Sequence, residues 1–211
     1  MTAGGRRYGG RTESERRADR RERLLASALQ LFGTEGWSAT SVERLCAESG
    51  VATRYFYEEF VDREDILRAV YLSIQHGATE AVIEALLDVP PDLPSLARTG
   101  VGRYVRYHAE DPRRARVVHC EARVAGTLER ERHKAMLGFA DLIEHAVRNE
   151  MPSRSPQRQR VLALALAGGV SEVLVDWVAS DEPRPPTEPI IDELTAIYLA
   201  ALGYAGPDDR D

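Results

Sequence analysis

Cys120 stands between His119 and Glu121, three residue types that bind metals or run redox chemistry. Their spacing argues against a shared ion, because neighbouring helical positions diverge by ~100° and their side chains point apart. Cys46 falls on the apolar face of a short helix and reads as a small core residue. The sequence holds no G-x-S-x-G elbow, no Walker loop and no H-E-x-x-H pair. None of its five His follows a Glu by three residues, as a di-iron bundle requires. We therefore assign no catalytic residue, no metal ligand and no cofactor, and the chain reads as a non-enzyme. Arginine is the remaining chemistry. Residues 98–132 carry nine Arg against five acids, which suits either an anion pocket for an acyl or carboxylate ligand or a solvated face. Ala97, Val101, Tyr104, Val105 and His108 mark the inner side of their helix and leave Arg103 and Arg106 outside, which favours the solvated face. Tyr104, Tyr107, His108, Phe139 and Trp177 either line a ligand cavity between helices or simply fill a core.

The chain is 211 residues long, 43% apolar and 29% charged, which is ordinary for a globular protein with a real core. Its formal charge of −6 argues against a bulk nucleic-acid binder. That average hides an asymmetry: residues 1–23 hold eight Arg against four acids, a net +4, so the other 188 residues carry −10. Two cysteines make no disulfide framework and fit no zinc spacing, which points to the reducing cytoplasm. The Arg- and Gly-rich start is no signal peptide, and no apolar run approaches the ~20 residues of a membrane span.

Helical spacing recurs throughout, without strand-like alternation, and predicts an all-α fold of about nine helices. The first runs over 14–35, with Gly36 placed for a left-handed cap. Thr40 and Glu43 have capping-box spacing and start a second, short helix that Gly50 ends. A third carries Thr53 to Glu59. The fourth opens at Asp62 with Asp65 three residues on. Proline-rich gaps then separate helices over 95–109, 111–123, 128–148, 157–179 and 190–202. The eighth of these nine is apolar nearly all round, and Gly168-Gly169 within it implies a close approach by another helix.

Helix two, the joint at Gly50-Val51 and helix three have the form of a helix-turn-helix. Val42, Leu45, Val51 and Phe56 would lock the angle and leave polar residues exposed on the second helix. A helix of ~10–12 Å diameter fits the ~12 Å major groove of B-DNA. The stretch TSVERLCAESGVATRYFYEEFVDREDIL (40–67), preceded by LLASALQLFGTEGW (24–37), resembles the tetracycline-repressor (TetR) family of bacterial transcription regulators. The markers are Phe32, Gly36, Thr40-Ser41-Val42, Gly50-Val51, Tyr57, Phe60 and Asp62-Arg63-Glu64, over about 50 residues from Arg20 to Tyr71.

The resemblance implies a dimeric, ligand-responsive regulator, a repressor of a palindromic operator, with double-stranded DNA, a second copy of itself and a small-molecule effector as partners and no membrane. It implies a flexible basic arm over 1–13 and a DNA-binding domain over 14–61 with its motif at 41–60. A ligand-binding and dimerisation domain follows over 62–205, with a tail over 206–211. Thr53, Arg54 and Tyr55 would face base edges, with Arg54 placed for a guanine. Tyr57, Thr40 or Ser41, and Arg63 in place of the usual lysine would hold phosphates. Arg16, Arg17, Arg20 and Arg21 would lie along the backbone, and Arg6, Arg7 and Arg11 would reach a minor groove. Glu58 and Glu59 depart from the His or other aromatic common there and would lie near phosphates. Residues 1–70 balance twelve Arg against twelve acids, so electrostatic affinity would be weak. A helical interaction module that has lost DNA binding is the competing class. The implied dimer interface joins Leu162, Leu166, Val170 and Val173 of helix eight to Ile190, Leu194 and Ile197 of helix nine.

Overall fold

The computed structural model describes residues 12–148 and 155–204. Among them are nine helices and no strand: α1 (Glu13–Thr34), α2 (Val42–Ser49), α3 (Thr53–Glu59), α4 (Arg63–Leu87), α5 (Leu93–Ala109), α6 (112–124), α7 (Glu129–Arg148), α8 (Pro156–Ala179) and α9 (Thr187–Ala201). The all-α expectation holds. α6 is composite: Pro112–Ala115 is α-helical, Arg116–Glu121 winds as a π-helix, and Ala122–Val124 returns to α. The basic arm with Arg6, Arg7 and Arg11, and the tail over 206–211, lie outside the described residues except for Thr12 and Glu13.

Those two residues open α1. The Thr12 hydroxyl accepts from the Glu15 amide at 3.2 Å, and the Glu15 carboxylate accepts from the Thr12 amide at 2.6 Å. This reciprocal pair satisfies two of the free donors at the helix start. The capping box expected at Thr40 does not form. Ser41 caps α2, accepting from the Arg44 amide at 3.2 Å, while Thr40 is fully buried and donates to the Gly36 carbonyl at 2.8 Å. Two hydroxyls stand side by side, and only the turn geometry decides which faces the helix and which the core. Gly50 at φ +63° makes the sharp joint between α2 and α3, where a side chain would be strained. Asp62 caps α4 as expected, accepting from the Asp65 amide at 2.8 Å.

The first core gathers Leu24, Leu31 and Phe32 of α1, Leu45 of α2, Phe56 of α3 and Ile66, Leu67 and Tyr71 of α4. Val117, Val118 and Ala122 of α6 belong to it too, so the core crosses the boundary expected near 61/62. The second core lies among α5, α8 and α9, around Val105, Val170, Leu174, Ile191 and Tyr198. α8 is long and apolar enough to cross a membrane by length and composition, with an 18-residue stretch of mean hydropathy 1.8, contrary to the sequence expectation. Its inner side closes the second core, and it carries Glu172 and Asp176; Glu172 pairs with Arg123. It is a core helix with one bare side.

α1 meets α6 where Gly33 faces Arg113. A Cβ on Gly33 would sit 2.4 Å from the Arg113 Cβ and 2.9 Å from its Cα. Gly138 in α7 is the opposite case, with nothing within 4 Å. Gly33→Ala is therefore expected to lower stability by about 1–3 kcal/mol through overpacking. Gly138→Ala should raise it by up to about 1 kcal/mol by removing a flexible residue from a helix. Urea midpoints that move in opposite directions would bear this out.

Candidate nucleic-acid interface and cavity

α3 stands at the tip of the first core, anchored by the fully buried Phe56. That anchor turns Thr53, Arg54 and Tyr57 outward, and Tyr57 is 58% exposed. Tyr55 is half-buried, with the guanidiniums of Arg20 and Arg54 each 4.3 Å from its ring centroid. Arg54 also donates to the Tyr55 hydroxyl. One exposed cation thus stands at the first turn of α3 on an aromatic support, beside free amides and the positive end of the helix dipole.

The surrounding arginines are held within the chain. Arg17 pairs with Glu59 at 2.5 Å and Arg21 reaches the same carboxylate at 3.9 Å. Glu59 is nearly buried, so it locks α3 to α1 and is turned away from where a phosphate would lie. Arg16 and Arg20 approach Glu13 at 2.9 and 3.7 Å. Arg63 donates to the carbonyls of Trp37 and Thr40 at 3.2 and 2.7 Å, with its guanidinium 3.9 Å from the Trp37 ring centroid. Its expected phosphate contact competes with three internal ones.

A cavity of about 450 Å³ opens among α4–α9. Val82, Leu86, Leu93, Leu96 and Leu202 line one end, while Tyr71, Gln75, His119, Arg132 and Ser171 line the other, nearer the first core. His119 accepts from or donates to the Ser171 hydroxyl through Nδ1 at 3.0 Å, and its Nε2 has no partner. Burial, then the nearby His108 and the Arg123 and Arg132 charges, hold its imidazole far below the ordinary histidine range. His108, whose ring centroid is 5.1 Å from that of His119, is pulled down to about 4 by burial. The π-turn that presents His119 inward also presents Glu121 outward, where its carboxylate accepts from the Trp37 amide at 2.7 Å. Arg116 donates to Glu121 at 3.1 Å and to the Thr34 carbonyl at 3.0 Å.

Residues 24–70 match the family model for bacterial regulatory proteins of the tetR family. That stretch is a TetR-type DNA-binding head. It is 25% identical over 76 residues to the uncharacterized HTH-type transcriptional regulator YerO of Bacillus subtilis (strain 168), covering 35% of this chain. The match spans about a quarter (26%) of that curated relative. In fold it resembles the fatty acid degradation regulator FadR from Bacillus halodurans, with a TM-score of 0.75 at 17% identity, over 85% of this chain and 94% of that one. A tetR-family regulatory protein from Rhodococcus RHA1 gives 0.71 at 21% identity, over 89% and 98%. Residues 24–70 thus carry a tetR-type helix-turn-helix, set within an all-helical fold shared with these solved structures.

Within this TetR-family fold the expected residues divide. Ser41, Thr53, Arg54 and Tyr57 share the exposed tip, with Tyr55 at its edge. Thr40 is corrected to a buried turn residue, and Arg20 to a clamp on Tyr55 with only 13% of its side chain exposed. Tyr104 and Phe139 line the cavity, but Tyr107, His108 and Trp177 do not. Tyr107 packs against Gly77, and the Trp177 indole donates to the Pro185 carbonyl at 2.9 Å. Of the expected dimer residues, Leu166, Val170 and Leu194 are buried in the chain's own second core, and Leu162, Val173 and Ile190 are half-buried against it. Ile197 stays 55% exposed. A helix that is apolar all round has no polar side to tell inside from outside. His119, Gln75, Arg132 and Ser171 line the cavity although the sequence does not single them out for it. One signal points to His119, a histidine within the apolar run VVHC of α6.

The buried His108 sets a pH dependence. The folded state keeps it neutral down to about pH 4, while the unfolded chain protonates it near 6.5, so the unfolded state binds more protons between those values. Stability should be full above about 6.5 and fall as pH drops towards 4, by about 2 kcal/mol at pH 5 from this residue. His108→Gln should flatten that slope in urea titrations at pH 7 and 5.

Proposed function

We propose that this protein is a homodimeric repressor of the cytoplasm that binds a palindromic operator and is released by a small molecule in its helical domain. The observation that carries the reading is the pairing of Arg54, exposed at the first turn of α3 and without an ion-paired carboxylate among the described residues, with the exposed Tyr57 one turn on. In this reading Thr53, Arg54 and Tyr55 meet base edges, while Ser41, Tyr57 and the start of α2 hold phosphates. Two such heads about 34–36 Å apart read successive major grooves on one face of the duplex. Effector binding in the cavity favours a dimer whose heads no longer keep that spacing.

Dimerisation is supported by the bare side of α8, where Val161 is 62% exposed and the helix surface continues over Ala165, Gly168 and Gly169. A Cβ on either glycine would meet nothing within 4 Å. Glycine in a helix costs roughly 1 kcal/mol relative to alanine, and a closely packed second copy of α8 supplies the compensation. The domains accordingly divide as a head over 14–61 and an effector and dimer domain over 62–205, with α4 and α6 shared between their cores.

Selection of bound sequences from a random duplex pool at low salt should return a palindrome. Arg54→Ala should cost about 1–3 kcal/mol and relax one position of it. Tyr57→Phe should weaken binding evenly across sequences, as loss of a phosphate contact does. Unchanged affinity in both variants would refute the assignment. Gly168→Trp should leave the helical content and urea midpoint of the subunit in place but give a monomer by light scattering; a persistent dimer would remove α8 from the interface.

A further inference from the structure

The cavity is polarised, and its polar end is incompletely satisfied. Among its walls, His119 is 97% buried with Nε2 unpartnered, and Gln75 bonds the Tyr71 hydroxyl with one end of its amide and leaves the other end unpartnered. Buried polar atoms without partners are costly, so a site that keeps several together is built for a group that satisfies them. Arg123 beside them is already neutralised by Glu172. Among the described residues Arg132 has no hydrogen-bonded or ion-paired side-chain partner, and the Glu129 carboxylate stands on the exposed rim, where water screens it. The other end offers the aliphatic side chains of Val82 and Leu86 from α4, Leu93 and Leu96 from α5, and Leu202 just past α9.

We propose that the cavity takes an amphipathic monoanion, with its charged head between Arg132 and His119 and its apolar body lying towards Leu93 and Leu202. Arg132 supplies the charge and a forked donor. In this arrangement the Ser171 hydroxyl, 3.0 Å from His119 Nδ1, donates to it, the ring proton sits on Nε2, and a neutral ring donates to the head without adding charge. With the Gln75 amide turned over, its Oε1 accepts from the Tyr71 hydroxyl and its Nε2 donates to the head. A volume of about 450 Å³ suits one small amphiphile of this kind. Gly100 lines the apolar end, and a Cβ there would meet nothing within 4 Å, so it leaves room for the body. The proposal rests on the reading of this cavity as the effector site.

The test is calorimetric titration of the full-length protein with octanoate, 1-octanol and octylammonium, three probes of equal chain length below their micellar range. Octanoate should bind at least tenfold tighter than the other two. Arg132→Met should bring octanoate down to the affinity of octanol and leave octanol unchanged, and Arg132→Lys should restore part of the difference. Gly100→Phe, which fills the apolar end, should abolish binding of octanoate while circular dichroism shows the fold intact. Equal binding of octanol and octanoate, or tighter binding of octylammonium, overturns the anionic head. Octanoate binding that survives Gly100→Phe overturns the site. Failure of all three probes to bind, in protein that still selects a palindrome, overturns the ligand class and leaves the regulator standing. Octanoate that binds in the cavity but leaves the duplex complex intact supports the site and counts against the effector reading instead.

Discussion

The contact of α1 with α6 is the constraint on which both halves of the molecule depend. It brings Gly33 against the backbone of Arg113, and a side chain at Gly33 would force the two helices apart. Polar locks flank the contact: Arg113 on Gln30, Arg116 on the Thr34 carbonyl, and Glu121 on the Trp37 amide. These join the end of α1, and the turn that leads into α2, to a helix that belongs to the cavity wall. Trp37 is held from two sides, since its ring also takes the Arg63 guanidinium at the start of α4. The position of the recognition helix is therefore set by a junction that the cavity domain co-owns.

The π-turn of α6 makes that junction unusual. It widens the helix so that His119 faces the cavity and Glu121, two residues on, faces the head. Such turns are rare, cost hydrogen-bond geometry, and concentrate at functional sites.

Electrostatics in the head follow from the even balance of arginine and acid. Pairs such as Arg17 with Glu59 and Arg44 with Glu35 and Glu48 are partly exposed, so each adds little stability. Their larger effect is on the field, because they cancel most of the head's positive charge and leave Arg54 as the prominent exposed cation of α3. Binding built this way relies on geometry and dimer spacing more than on bulk attraction to phosphate.

Helix count, the left-handed turn at Gly36, the helix stop at Gly50, the Asp62 cap and the buried Phe56 were legible in the sequence, because each rests on local periodicity or on the chemistry of a single residue. The TetR-type head was legible because its markers lie within about 50 consecutive residues whose relative spacing a short helix-turn-helix preserves. Whatever depends on a partner distant in sequence was not. Thr40 and Ser41 are interchangeable as caps until the turn at Gly36 buries one of them. Glu59 looks like a misplaced surface charge until Arg17, 42 residues earlier, meets it. The stripes of α8 look alike on every side, and only packing against α5 and α9 determines that Val170 faces inward while Val161 is left bare. Local sequence determines which helices form and where they stop; tertiary packing alone decides which face of each is buried, because burial depends on what the rest of the chain brings alongside.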